Sequence, residues 1–210
     1  MDPTSASAQL QTIRTLMERV ALYRRALVPC SLIAGTAGTL AAATGWGLQV
    51  GSPAGFLTLW LSTAAVTLAA AFLFIRREAI SADEPFWTPP TRRVATAFLP
   101  SLVAAALATA TITAFTGSES RLIPALLPSV WMACYGLGLH AAGFFMPRGI
   151  RWLGWIFLAS SVVLPIALAR TGLPPVPSYE TANLAMGIAF GLGHLAHGLY
   201  LRVTAIPAAP

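Results

Sequence analysis

The chain has 210 residues and only 10% of them are charged, where a soluble domain carries about a quarter. All thirteen basic residues are arginine, seven residues are acidic, the net charge is +6 and the mean hydropathy is +0.71. These figures exclude a soluble globular enzyme, a disordered chain and a disulfide scaffold. They leave an all-α fold, a polytopic six-helix transmembrane bundle.

The chain opens with a polar segment, residues 1–25, that reads as a short amphipathic cytoplasmic helix over 7–25. Asp2, Thr4 and Ser5 offer caps, and Leu10, Ile13, Leu16, Met17, Val20, Tyr23 and Leu27 recur at three- and four-residue steps, giving one apolar face. Such a helix lies on anionic lipid. Positions 13, 16, 20, 23 and 27 also fit a heptad seam, so a cytoplasmic protein partner or a second copy of the chain is the sharper alternative. Glu18 and the polar start argue against a cleavable signal peptide, so the first span is expected to act as its own anchor.

Five uncharged runs follow, at 26–75, 94–118, 122–147, 152–169 and 181–201. A helix needs about 20 residues to cross a ~30 Å hydrocarbon layer. The first run is long enough for two crossings, and Gly45-Trp46-Gly47 through Gly51-Ser52-Pro53 divides it. The expected spans are 27–47, 55–75, 94–115, 122–146, 152–169 and 182–201, within a transmembrane domain of 26–203 and ahead of a tail at 204–210. The runs are continuous and rich in Ala, Leu and Gly, without the short alternation of barrel strands.

Eleven of the thirteen arginines fall on one side of these spans; Arg121 and Arg170 alone fall on the other. The positive-inside bias then places both termini in the cytoplasm, in agreement with an even number of crossings. Phe72, Phe74, Phe86, Trp87, Phe144, Phe145, Trp152, Trp155 and Tyr200 gather near the same boundary as an aromatic belt. The basic balance thus reads as a topology signal, with no nucleic-acid partner. The connection at 76–93 has arginine pairs at both ends and is the other candidate surface for a cytoplasmic partner. Met146-Pro147-Arg148-Gly149 reads as a tight turn between spans four and five. The outer segment Gly172-Leu173-Pro174-Pro175-Val176-Pro177 reads as a stiff extended spacer.

All seven acids lie outside the spans, and no arginine lies mid-span. A carboxylate proton relay, a cation clamp and a carboxylate metal site in the bilayer are therefore excluded. No nucleophile-elbow, zinc-protease, P-loop or dinucleotide motif is present, so no catalytic residue is assigned and a non-enzymatic role is expected. Cys30 and Cys134 differ in depth and are not expected to pair.

The chemistry that remains is histidine. His140, His194 and His197 are all intramembrane. His140 stands eight residues before Arg148, and His194 eight before Arg202, which suggests one common depth about 12 Å from the arginine-rich boundary. Gly136, His140 and Gly143 share one helical stripe, and Gly191, His194 and Gly198 another, while Gly187 and Gly191 form a small-xxx-small pair. Small stripes let helices approach closely, burying the histidines between them. The plainest role is structural, with neutral imidazoles hydrogen-bonded to each other, to Tyr135 or to a freed carbonyl. The alternatives are a cofactor site, in which His140, His194 and His197 ligate haem, a chlorophyll-type pigment or a metal, and a proton- or ligand-sensing cavity.

Three stretches carry a resemblance: Leu10-Gln11-Thr12-Ile13-Arg14-Thr15-Leu16-Met17-Glu18-Arg19, His140-Ala141-Ala142-Gly143-Phe144-Phe145-Met146-Pro147-Arg148-Gly149, and Gly193-His194-Leu195-Ala196-His197-Gly198-Leu199-Tyr200. The chain resembles, over its whole length, an uncharacterised group of small six-span bacterial integral membrane proteins. The resemblance implies six crossings of a bacterial inner membrane and brings no activity with it. The expected role is a sensor-like regulatory or assembly component. A small transporter or channel, with its path between spans four and six, is the second reading; a pigment- or metal-binding subunit is the third.

Overall fold

The computed structural model describes residues 26–83, 85–116, 121–171 and 177–204. The proposed N-terminal helix at 7–25, most of the proline spacer and the residues after 204 lie outside the described residues. Within them the chain forms six helices long and apolar enough to cross a membrane, and no strand. They are α1 (Ala26–Gly47), α2 (Pro53–Ser81), α3 (Pro89–Thr116), α4 (Leu122–Ala142), α5 (Arg148–Arg170) and α6 (Tyr179–Thr204). The protein is a multi-pass helical membrane protein.

The helix ends follow local chemistry. α1 closes in a Schellman pattern: the Val50 N–H donates to the Gly45 carbonyl (2.9 Å) and the Gln49 N–H to that of Trp46 (3.1 Å). Gln49 takes the left-handed position at φ 49° that glycine usually fills. Ser52 caps α2 by accepting from the Gly55 N–H, ahead of Pro53 in the first turn. α6 opens with a reciprocal cap, Ser178 accepting from the Thr181 N–H and Thr181 accepting from that of Ser178.

Two boundaries depart from the sequence reading. α2 runs on to Ser81, so Arg76, Arg77 and Glu78 are helical, and Arg92 and Arg93 already belong to α3. The connection proper is therefore short, with Phe86 packed edge-on against Phe72 at 5.1 Å. α4 stops at Ala142, and the chain turns over Gly143–Met146 with the Phe145 N–H bonded to the Ala142 carbonyl. Pro147 is extended (φ −54°, ψ 146°) and Arg148 begins α5, so the expected turn at Met146–Gly149 is displaced by a few residues.

Close glycine contacts set the packing. A methyl group on Gly154 would stand 2.8 Å from both the Gly136 carbonyl oxygen and the His140 backbone nitrogen, so α4 and α5 touch backbone to backbone. α1 and α6 do the same: Gly38 meets Gly191, Gly35 meets Leu195, Ala42 meets Gly187, and Gly198 meets Leu32. These pairs run antiparallel. Phe98 lies against Gly138, and the Trp131 indole N–H donates to Thr109 (2.8 Å), so α3 and α4 are antiparallel too.

α2 is fastened mainly at the arginine-poor end. There Phe56 and Trp60 are buried with Ile123, Leu127 and Met186, and the Trp60 N–H donates to Asn183 Oδ1 at 2.8 Å. Over residues 61–78 it carries no buried side chain. α3 carries none over its described length, and Leu68, Leu73, Val103 and Leu107 point outward. Such faces match lipid rather than water. Several threonines there return their hydroxyls to the preceding turn (Thr63 to Leu59 at 2.7 Å, Thr113 to Thr109 at 2.8 Å), which satisfies them without water.

Candidate intramembrane site

The site begins with a change in helical pitch. Residues Gly187–Leu192 of α6 form a π-helical turn, in which the Gly193 N–H reaches back five residues to the Ile188 carbonyl. Such wide turns concentrate at functional positions. Here the turn precedes His194, which is 4% exposed. Its Nδ1 lies 2.9 Å from the Phe190 carbonyl oxygen, and its Nε2 lies 2.8 Å from the Tyr135 hydroxyl on α4. A carbonyl only accepts, so Nδ1 carries the hydrogen. In a neutral imidazole Nε2 is then the acceptor, and Tyr135 donates to it. The tautomer is assigned from this network.

Aromatic rings enclose the pair. Tyr135 packs edge-on against Phe98 (5.5 Å) and Phe157 (4.9 Å), and Phe157 stands 4.9 Å from Phe190 and 5.2 Å from His194. This cluster packs Tyr135 of α4 against Phe190 and His194 of α6.

In front of the pair lies a cavity of about 280 Å³. α1, α4 and α6 form its back through Ala34, Gly38, Trp131, Tyr135, Phe190 and His194; α2 and α3 form its sides. It is not enclosed, and its α2 and α3 walls carry small side chains (Ala64 on α2, Ala105 and Ala106 on α3). The walls are largely apolar, with a few fixed polar groups, which is the usual make-up of a small-molecule site. At about 150 Å³ an apolar cavity already accepts benzene, so this one has room for a larger ring system.

The other two histidines stand apart from this cavity. His197 Nδ1 is 3.1 Å from the Ser31 hydroxyl on α1, and its buried Nε2 has no hydrogen-bond partner. His140 is half-buried between α4 and α5, with edge contacts to Phe144 (5.4 Å) and Trp155 (5.2 Å), and its buried Nδ1 has no partner. The common depth expected for His140 and His194 is not found: Tyr135 is the residue beside His194. The count to Arg148 treated residues 143–147 as helix, whereas α4 ends two residues after His140. Among the described residues, no three His, Cys, Asp or Glu side chains converge as a metal site would require. Cys30 and Cys134 are both free thiols, half-buried in α1 and α4.

Sequence reasoning named Tyr135 as a partner for histidine, and the geometry places it there. It passed over Asn183, Trp60 and Trp131. Asn183 is 1% exposed and its Nδ2 has no partner. A polar residue just inside an uncharged run was the available signal for it.

Comparison with protein-family models, with curated proteins and with solved structures finds no match. The fold and the site therefore define a class alone: a multi-pass membrane protein with six candidate spans among the described residues and an aromatic-lined cavity within them.

Proposed function

We propose that the chain is a non-enzymatic membrane component of sensor-like regulatory type, and that it responds to a lipid-soluble molecule held in the cavity between α2 and α3. One observation carries this reading. The cavity has a back wall bearing the hydrogen-bonded pair Tyr135–His194, and a side wall, α2, with no buried side chain from 61 to 78. A ligand there gives α2 contacts that it otherwise lacks, and differential contact is what shifts an equilibrium between helix positions. α2 continues into Arg76, Arg77 and the short connection, so a shift is conveyed to the arginine-rich end.

The arginine distribution supports a bacterial inner (plasma) membrane location with both termini cytoplasmic. In that orientation residues 7–25 and 76–93 face a cytoplasmic protein partner or a second copy, with the lipid bilayer around the spans. A haem, a chlorophyll-type pigment or a metal is the competing reading. Both nitrogens of His194 are engaged, so ligation would fall to His140 Nδ1 and His197 Nε2, which have no partners. Soret-region absorbance of the purified protein would favour that reading.

The test of the proposal fills the cavity from α3. Wild-type protein, purified and extracted into organic solvent, is expected to release a lipid-soluble compound in stoichiometric amount, and Ala106→Trp is expected to release none. Identical extracts from the two proteins would contradict the reading.

A further inference from the structure

The direction of the hydrogen bonds at the back of the cavity selects its ligand. Of the polar hydrogens that its walls could offer, all but that of Thr67 on α2 are spent within the protein. The Trp60 N–H goes to Asn183, the Trp131 N–H to Thr109, the Thr109 hydroxyl to the Ala105 carbonyl and the Thr63 hydroxyl to that of Leu59. The His194 Nδ1–H goes to the Phe190 carbonyl, which leaves Nε2 to receive the Tyr135 hydroxyl. Tyr135 then keeps a lone pair and no hydrogen to give. For Tyr135 to donate to a ligand carbonyl, it would have to leave His194 Nε2 buried and unpaired, which costs more than an ordinary hydrogen bond returns. The Thr67 hydroxyl on α2 both donates and accepts, so it does not discriminate.

We infer that the cavity binds a lipid-soluble phenol: a one- or two-ring aromatic molecule whose hydroxyl donates to Tyr135 Oη. The aromatic class follows from Trp60, Phe98, Trp131 and Phe190 in the walls, which offer ring faces and edges. The size follows from the volume of about 280 Å³, nearly twice that of an apolar cavity that takes up benzene. Entry is lateral, from the hydrocarbon layer, because the spans carry the cavity within the membrane. The inference rests on the proposed reading that the cavity is a binding site, and it adds the chemical class and the donor.

A matched pair of probes tests it on the full chain in lipid nanodiscs, with Ala106→Trp nanodiscs correcting for partition into lipid. 2-Naphthol carries the donor; 2-methoxynaphthalene has the same rings and no donor. Wild type is expected to bind 2-naphthol about tenfold more tightly, the worth of one buried hydrogen bond, and Tyr135→Phe is expected to remove the preference. Equal affinity for both probes, or preference for the methoxy compound, overturns the phenol inference and leaves the binding site standing. A preference that survives in Tyr135→Phe overturns it as well. Binding of neither probe above the Ala106→Trp background overturns the inference and the proposed reading together. The wild-type comparison decides the matter even if Tyr135→Phe does not fold.

Discussion

Gly191→Ala is expected to disable the bundle, whereas Gly193→Ala, two residues along the same helix, is expected to be nearly silent. A methyl group on Gly191 would lie 2.6 Å from the Thr39 hydroxyl, 2.8 Å from the Thr39 backbone nitrogen and 3.1 Å from its Cα. Backbone cannot rotate away as a side-chain tip can, so α1 must move. At Gly193 the nearest atom is the Ile188 carbonyl oxygen at 3.7 Å, an ordinary contact. Both positions are helical, so helix propensity cancels between the variants. Overpacking costs about 1–3 kcal/mol where side chains can yield, and the rigid partner puts Gly191→Ala at about 3 kcal/mol or above. Separating α1 from α6 also removes the Ser31–His197 contact. Thermal unfolding of the two purified variants in one detergent checks this. Equal midpoints would mean that α1 and α6 are not held backbone to backbone.

Trp60→Phe is expected to destabilise the protein by about 1–3 kcal/mol, and a second change, Asn183→Leu, is expected to return part of that loss. The Trp60 N–H is the partner of Asn183 Oδ1, and Asn183 Nδ2 is already without one. Removing the indole therefore leaves a buried amide with neither end satisfied, in surroundings without water to replace it. Replacing the amide by an apolar side chain of similar size takes the unsatisfied group away. Unfolding of the single and double variants in a double-mutant cycle measures the coupling. Additive losses would show that the two side chains are independent. The pair also ties α2 to α6 at one end, so Trp60→Phe is expected to loosen the α2 wall of the cavity.

The number of crossings was legible because charge is excluded from lipid, and each of the six helices has most of its length in an uncharged stretch. The close helix contacts were legible from Gly136, Gly143, Gly187, Gly191 and Gly198, whose spacing marks one face at a time. Helix ends were less so. Nothing between His140 and Pro147 is charged, so the turn at Gly143–Met146 has no polar signal, and the depth argument for His140 failed on that account. The π turn at Gly187–Leu192 was not legible, since a glycine-rich apolar run reads the same with either hydrogen-bond pattern. The cavity was hidden for a different reason. It exists because α2 and α3 stand apart, and a sequence pattern records which faces are apolar, not which neighbour each face meets.

Photolabelling with a membrane-soluble diazirine of naphthol size, mapped residue by residue, puts the cavity to the most direct test. Labelling at Ala64 and Thr67 of α2 and at Ala105 and Thr109 of α3 is predicted to saturate with reagent and to fall when 2-naphthol is added. Labelling at Leu73, Val103 and Leu107, which face lipid, is predicted to rise in proportion to reagent and to ignore the competitor. Proportional, uncompeted labelling at all of these positions would contradict a binding site between α2 and α3.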